Sequence, residues 1–205
     1  MSGYVATFIG SDHGTAPSDK DITVPANCNL VLVGIGTNGN FSTTSVTLGG
    51  VAMTQVPNTK ATDIGSGCIM FYSINKAPGV HTLHIDLTQW EGWVCAFIGL
   101  AKPDSGFIVS SASELRGSPT QLDLTGATVG QLLIGFAAWD PAVSVGNDLT
   151  TLLTTDAQAA MGYGYATDST PLLTFTLSGT GGSSIANCGV VIQGNTPVST
   201  GIFYL

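Results

Sequence analysis

The sequence predicts an all-β protein, a jelly-roll-like antiparallel β-sandwich built from two related halves. Three observations carry that reading. The stretch 68–100, CIMFYSINKAPGVHTLHIDLTQWEGWVCAFIGL, holds three apolar runs rich in Ile, Val, Phe and Tyr, broken by Asn, Pro and Gly turns. Such runs read as β-strands, here as a meander. A weaker copy of the same order of runs follows about ninety residues later. No window sustains a 3.6-residue apolar period, and 149–161 is the one place a short helix fits. A sandwich shared by the two halves is preferred because each half alone lacks the area to bury both its faces.

In order, 4–9 is a short strand and 11–21 (SDHGTAPSDKD) a polar loop, so residues 1–21 form an N-terminal arm. A strand stub at 22–24 stops at Pro25, which has no N–H to donate. The run 29–36 (NLVLVGIG) is continuously apolar and predicts a strand buried on both faces. Strands at 45–48 and 51–56 flank Gly49-Gly50, a two-residue hairpin signal. The meander follows, and the punctuation AKPDSG at 101–106 marks a junction. The first half spans 22–103 and the second 104–195, packed together as one sandwich unit.

The second half repeats the order of the first. The segment 121–124 matches 22–24, and 131–138 (QLLIGFAA) matches 29–36. Then 160–166 matches 68–74, 172–177 (LLTFTL) matches 83–87, and 185–192 (IANCGVVI) matches 93–99, with Cys188 opposite Cys95. The tail 196–205 is a Pro/Ser/Thr linker followed by GIFYL.

Composition excludes several function classes. Hydrophobic residues are 43% of the 205, which is enough for a real core. Charged residues are only 9%, against about 25% in ordinary soluble domains. The polar surface is therefore built from Ser, Thr, Asn, Gln and Gly, which lose little on dehydration against a partner. Five basic residues and a net charge of −8 cannot neutralise a phosphate backbone or favour an anionic membrane. No apolar stretch approaches the ~20 residues of a spanning helix. The start MSGYVATFIGSDHG lacks the basic and long apolar regions of a signal peptide, so synthesis in a cytoplasm without export by that route is expected.

Cys28, Cys68, Cys95 and Cys188 show no C-x-x-C pairing and sit in apolar strand contexts, which predicts buried free thiols. His81 and His84, three apart on a strand, point to opposite faces and make no zinc site. No metal or cofactor is expected. Nor does any catalytic signature occur: there is no G-x-S-x-G, no P-loop, and no paired carboxylate spacing. The reading is non-enzymatic. Trp90, Glu91 and Trp93, with Trp139 and Asp140 at the matching rim of the second half, could stack a sugar ring or merely cover the end of the sandwich. Tyr163 and Tyr165 share one sheet face, with Gly162 and Gly164 on the other. Ile202, Phe203, Tyr204 and Leu205 form an apolar tail suited to adding a strand to its own sheet or to a neighbour's.

The pattern ITVPANCNLVLVGIG, VTLGGVAMTQV, CIMFYSINKAPGVHTLHIDL, WVCAFIGLAKP resembles a β-sandwich repeat of bacteriophage virion proteins and related bacterial surface proteins. Residues 29–36, 49–56, 72–79 and 96–99 fit successive elements of that repeat, with Ala52-Met53 where it prefers Gly-Trp. The likeness covers 22–103 with an echo over 121–194. It implies a passive role on a virion, in capsid decoration, head fibres or tail, with other virion proteins and copies of itself as partners. It carries over no catalytic residues. The alternative is a carbohydrate- or receptor-binding module of a phage tail or bacterial surface protein.

Overall fold

The computed structural model describes residues 6–14, 18–26, 28, 30–37, 44–62, 67–87, 93–100, 108–116, 120–138, 143–147, 149–156, 159–167, 169, 171–177 and 185–193. Among them there is no helix, and every strand pairing is antiparallel. The first half contributes β1 (Ala6–Gly14), β2 (Ser18–Val24), β3 (Leu30–Thr37), β4 (Thr44–Leu48), β5 (Val51–Ala52), β6 (Thr54–Gln55), β7 (Ala61–Thr62), β8 (Gly67–Ile74), β9 (Gly79–Leu87) and β10 (Trp93–Leu100). The second contributes β11 (Ile108–Arg116), β12 (Thr120–Asp123), β13 (Leu132–Ala138), β14 (Val143–Asn147), β15 (Leu149–Asp156), β16 (Ala159–Tyr165), β17 (Leu172–Leu177) and β18 (Ile185–Ile192).

These strands form four sheets, two from each half. The first half has an inner sheet, β1-β10-β3-β8-β6 with β7 also on β8, and an outer sheet, β2-β9-β4-β5. The second has an inner sheet, β11-β18-β13-β16-β15, and an outer sheet, β12-β17-β14. With β5 to β7 taken as one interrupted fifth strand, the first half reads first-eighth-third-sixth and second-seventh-fourth-fifth. The second half repeats this order, except that its fifth strand, β15, lies on the inner sheet.

Burial patterns explain which strands go inside. All of Leu30–Thr37 is buried, as are residues 132–137. A strand apolar on both faces needs a cover on each side. One face of the first inner sheet packs on its outer sheet through Val31, Val33, Ile35, Ile69 and Phe71 against Ile22, Val24, Val46, Leu48, Leu83 and Ile85. The opposite face puts Leu30, Leu32, Cys68 and Met70 against Leu132, Ile134, Phe136, Met161, Cys188, Val190 and Ile192 of the second half. Leu133, Ala137 and Val191 then turn outward onto Leu122 and Leu124. The layers therefore run outer, inner, inner, outer.

The inner sheets face one another as β1 on β15, β10 on β16, β3 on β13 and β8 on β18. The order of equivalent strands is reversed across the interface, so an approximate twofold axis runs along the strand direction between the halves. It passes near β3 and β13, which consequently run the same way. Gly34 and Phe136 are each the fifth residue of their strand and meet at this axis. A Cβ on Gly34 would lie 2.5 Å from Phe136 Cγ and Cδ2, so the ring occupies the space a side chain would need.

Several sequence expectations are revised. The run 68–100 is no meander: β8 and β10 flank β3 in the inner sheet, while β9 crosses to the outer one. Its pattern gives the reason, since Leu83 and Ile85 are buried between exposed Thr82 and Asp86 with half-buried His84 between them. That alternation suits a sheet with one wet face. The polar loop expected at 11–21 is largely strand, β1 pairing with β10 and β2 with β9. Residues 149–156 form β15 and 159–161 open β16, so the stretch that also admitted a short helix is strand where it is described. The strand expected at 51–56 splits at Met53, whose N–H donates to Val46 O at 2.8 Å, so β5 stays outside while β6 joins the inner sheet. The Gly49-Gly50 hairpin is present, with φ of 58° and 73° and Leu48 opposite Val51.

Candidate functional surface

The outer sheet of the first half carries the chain's best-defined polar constellation. The β2–β9–β4 register sets Asp19 beside His84 and His84 beside Thr47. The next outward row sets Asp21 beside Thr82. Inward positions on these strands hold Ile22, Val24, Val46, Leu48, Leu83 and Ile85, so the period of two sends the polar residues to solvent. His84 Nδ1 lies 2.6 Å from Asp19 Oδ1, and Thr82 Oγ1 donates to Asp21 Oδ1 at 2.8 Å. The His84 and Asp19 side chains are 40% and 67% exposed. Water screens such a pair, which contributes at most ~1 kcal/mol.

At the end of the same sandwich, Lys76 Nζ donates to Leu48 O and His81 Nε2 meets Ala77 O at 2.8 Å. His81 lies in register with the inward residues of β9 and His84 with the outward ones, as their spacing predicts. The two imidazoles therefore do not converge. Among the described residues no three His, Cys, Asp or Glu side chains are grouped to hold a metal ion. The surface can accept and donate hydrogen bonds to a polar partner. It offers an exposed His–carboxylate pair and hydroxyls, with none of the burial that raises the reactivity of such groups.

The residues singled out by sequence are placed unevenly. Trp93 opens β10, its backbone opposite Gly14 and Thr37. Trp90, Glu91, Trp139, Asp140 and Ile202, Phe203, Tyr204 and Leu205 lie outside the described residues. Tyr163 packs against the core between the halves, Tyr165 is 36% exposed, and Gly162 and Gly164 are buried. Cys28, Cys68 and Cys188 are buried free thiols. Cys188 does not match Cys95: Cys95 pairs with Ile35, whereas Cys188 pairs with Phe136, whose counterpart in the first half is Gly34, opposite Ala96.

Sequence reasoning missed the Cys68–Cys188 contact. The two thiols lie next to each other in the core between the inner sheets. Burial first, and then the neighbouring Cys68 thiol, push the Cys188 thiol well above the ordinary thiol range. The available signal was their position on runs apolar at every residue, although which strands would face one another was not legible. No transmembrane-length apolar helix occurs among the described residues. No family model, no curated protein and no solved structure matches the chain.

Proposed function

We propose that each half is a jelly roll, and that the chain is a non-enzymatic structural protein of a bacteriophage virion. In this reading it is a capsid decoration or accessory protein acting by surface adhesion and self-assembly. The observation that carries the proposal is the strand order, first-eighth-third-sixth over second-seventh-fourth, shared by both halves, with the fifth strand reaching the outer sheet in the first. A long hairpin rolled into two facing sheets gives that order, and viral capsid and lectin domains use it. The sparsely charged, Ser/Thr-rich surface supports adhesion, because little hydration is lost on contact.

Self-assembly draws support from the second half. β14 has a strand partner on one side only among the described residues, where the first half sets β5 beside β4. An open edge accepts an added strand, and GIFYL at 201–205 is a segment of suitable length and apolarity. β1 and β2, by contrast, are integral to the sheets and leave no arm in 6–14 or 18–24 to reach a partner. Intact particles banded from the source culture should carry the chain, and deleting 201–205 should abolish that association while leaving the fold. Finding the chain only outside the particle band would overturn the reading.

The carbohydrate alternative has one observation in its favour. β3 and β13 run the same way, so Thr37 and Ala138 mark one end of the molecule, and Trp93 lies opposite Thr37. The strand ends adjoining Trp90-Glu91 and Trp139-Asp140 thus share that end. Retention on a polysaccharide array, lost in Trp90→Ala and Trp139→Ala, would favour this alternative over the first.

A further inference from the structure

We propose that Cys68 and Cys188 form a disulfide site that covalently joins the two halves once the protein meets an oxidising environment. The proposal stands apart from the virion reading. Cys68 lies on β8 in the first inner sheet and Cys188 on β18 in the second. β8 and β18 face each other across the interface between the halves. Both side chains are completely buried and belong to one shared core cluster, where the Cys68 thiol neighbours that of Cys188. A bridge between facing sheets of a sandwich is a geometry the disulfide accommodates, as in immunoglobulin domains. Cys28 belongs to a different cluster, between the first half's own two sheets, and is not a competitor in the folded state.

The chemistry is thiol–disulfide exchange with a small-molecule disulfide such as oxidised glutathione. One cysteine thiolate attacks a glutathione sulfur, forming a mixed disulfide and releasing one glutathione thiolate. The second cysteine thiolate attacks the protein sulfur of that mixed disulfide and expels the other. The two cysteines lose two protons and two electrons together, and one oxidised glutathione becomes two reduced molecules. The thiolate is the reacting species. Burial holds Cys188 protonated, so the folded, reduced protein resists attack. Oxidation therefore occurs during folding or on transient opening, and the closed core then protects the bond from reduction.

The full chain, unfolded and refolded in a buffer of reduced and oxidised glutathione, tests this. The product should be two hydrogens lighter and yield one cross-linked peptide pair, containing Cys68 and Cys188. The bridge closes a loop of roughly 120 residues, so Tm should rise by roughly 10 °C, and dithiothreitol should reverse the shift. Cys68→Ala/Cys188→Ala should show neither change, and Cys28→Ala/Cys95→Ala should show both. The proposal is overturned if the thiols stay free or capped by glutathione, if another pair links, or if the oxidised protein melts no higher than the reduced one.

Discussion

Gly34→Ala is the smallest change that tests how the halves lock together. The new methyl would stand 2.5 Å from two ring carbons of Phe136 and 3.0 Å from its Cβ. Carbon atoms pack best at about 3.5–4.0 Å, so the overlap exceeds about 1 Å. Phe136 has no exposure and cannot swing into solvent. Part of the clash is with its Cβ, next to the β13 backbone, so a rotamer change alone does not remove it. Overpacking of this kind costs about 1–3 kcal/mol, and the geometry puts Gly34→Ala at the upper end. For a chain of this size, that lowers Tm by about 6–12 °C. Phe136→Ala alone should cost about 3–5 kcal/mol through the cavity it leaves. In the double variant the methyl projects into that cavity, so the combined loss should fall short of the sum by about 1 kcal/mol or more. Urea unfolding of the four proteins, with unchanged m-values, measures the cycle. Gly34→Ala within about 0.5 kcal/mol of the parent, or strictly additive losses, would refute the described contact between the halves.

Three further outcomes follow from the described contacts. Thr59 is fully buried; its Oγ1 donates to Val56 O at 2.7 Å and accepts from the Met70 N–H at 3.2 Å. Thr59→Val strands both backbone groups and should cost about 1–3 kcal/mol in chemical denaturation. Gly50 has φ of +73° with nothing near a would-be Cβ, so Gly50→Ala should cost about 1–2 kcal/mol from backbone conformation alone. Cys188 should give an alkaline limb to the stability of the reduced protein. Its folded pKa lies above the unfolded one of about 8.5, so the stability it confers is intact below that pH. Above it the unfolded chain loses the proton first, and stability should fall by up to about 1.4 kcal/mol per pH unit until the folded thiol ionises. Cys188→Ala should remove that share of the slope, which thermal melts between pH 8 and 10 would resolve.

The strands of the core were legible because burial writes itself into runs such as LVLVGIG and LLIGFAA. The repeat of element order was legible for the same reason, since strands facing the same layer carry the same pattern in both halves. Strand–sheet membership was harder. Both β8 and β9 read as strands, but only the polar alternation of Thr82, His84 and Asp86 distinguishes the outer one, and proximity in sequence argued for a meander. β2 was hidden because its outward face carries Asp19, Asp21 and Thr23, so SDKDITV looks like a loop until its partner β9 is known. The candidate surface was least legible. His84 and Asp19 are sixty-five residues apart and meet only through the β2–β9 register. Cys68 and Cys188 meet only because the inner sheets face each other in reversed order.

The fused, two-half design also lets the two halves carry different residues where equivalent positions meet. Residues at equivalent positions face each other along an approximate twofold axis, most closely at Gly34 and Phe136. Two identical halves would place the same side chain on both sides of that axis. Two phenylalanines there would collide, since the existing ring already fills the space of a Cβ on Gly34. Two glycines would leave a void the size of a ring, with the cost of an unfilled core cavity. A single chain escapes the choice by carrying glycine on one strand and phenylalanine on the other. The fifth strand diverges in part: β6 and β15 both lie beside the sixth strand of an inner sheet, but only the first half adds β5 to its outer sheet. Strand order, enforced by layer packing, is therefore shared between the halves, while at the Gly34–Phe136 contact the two side chains are required to differ.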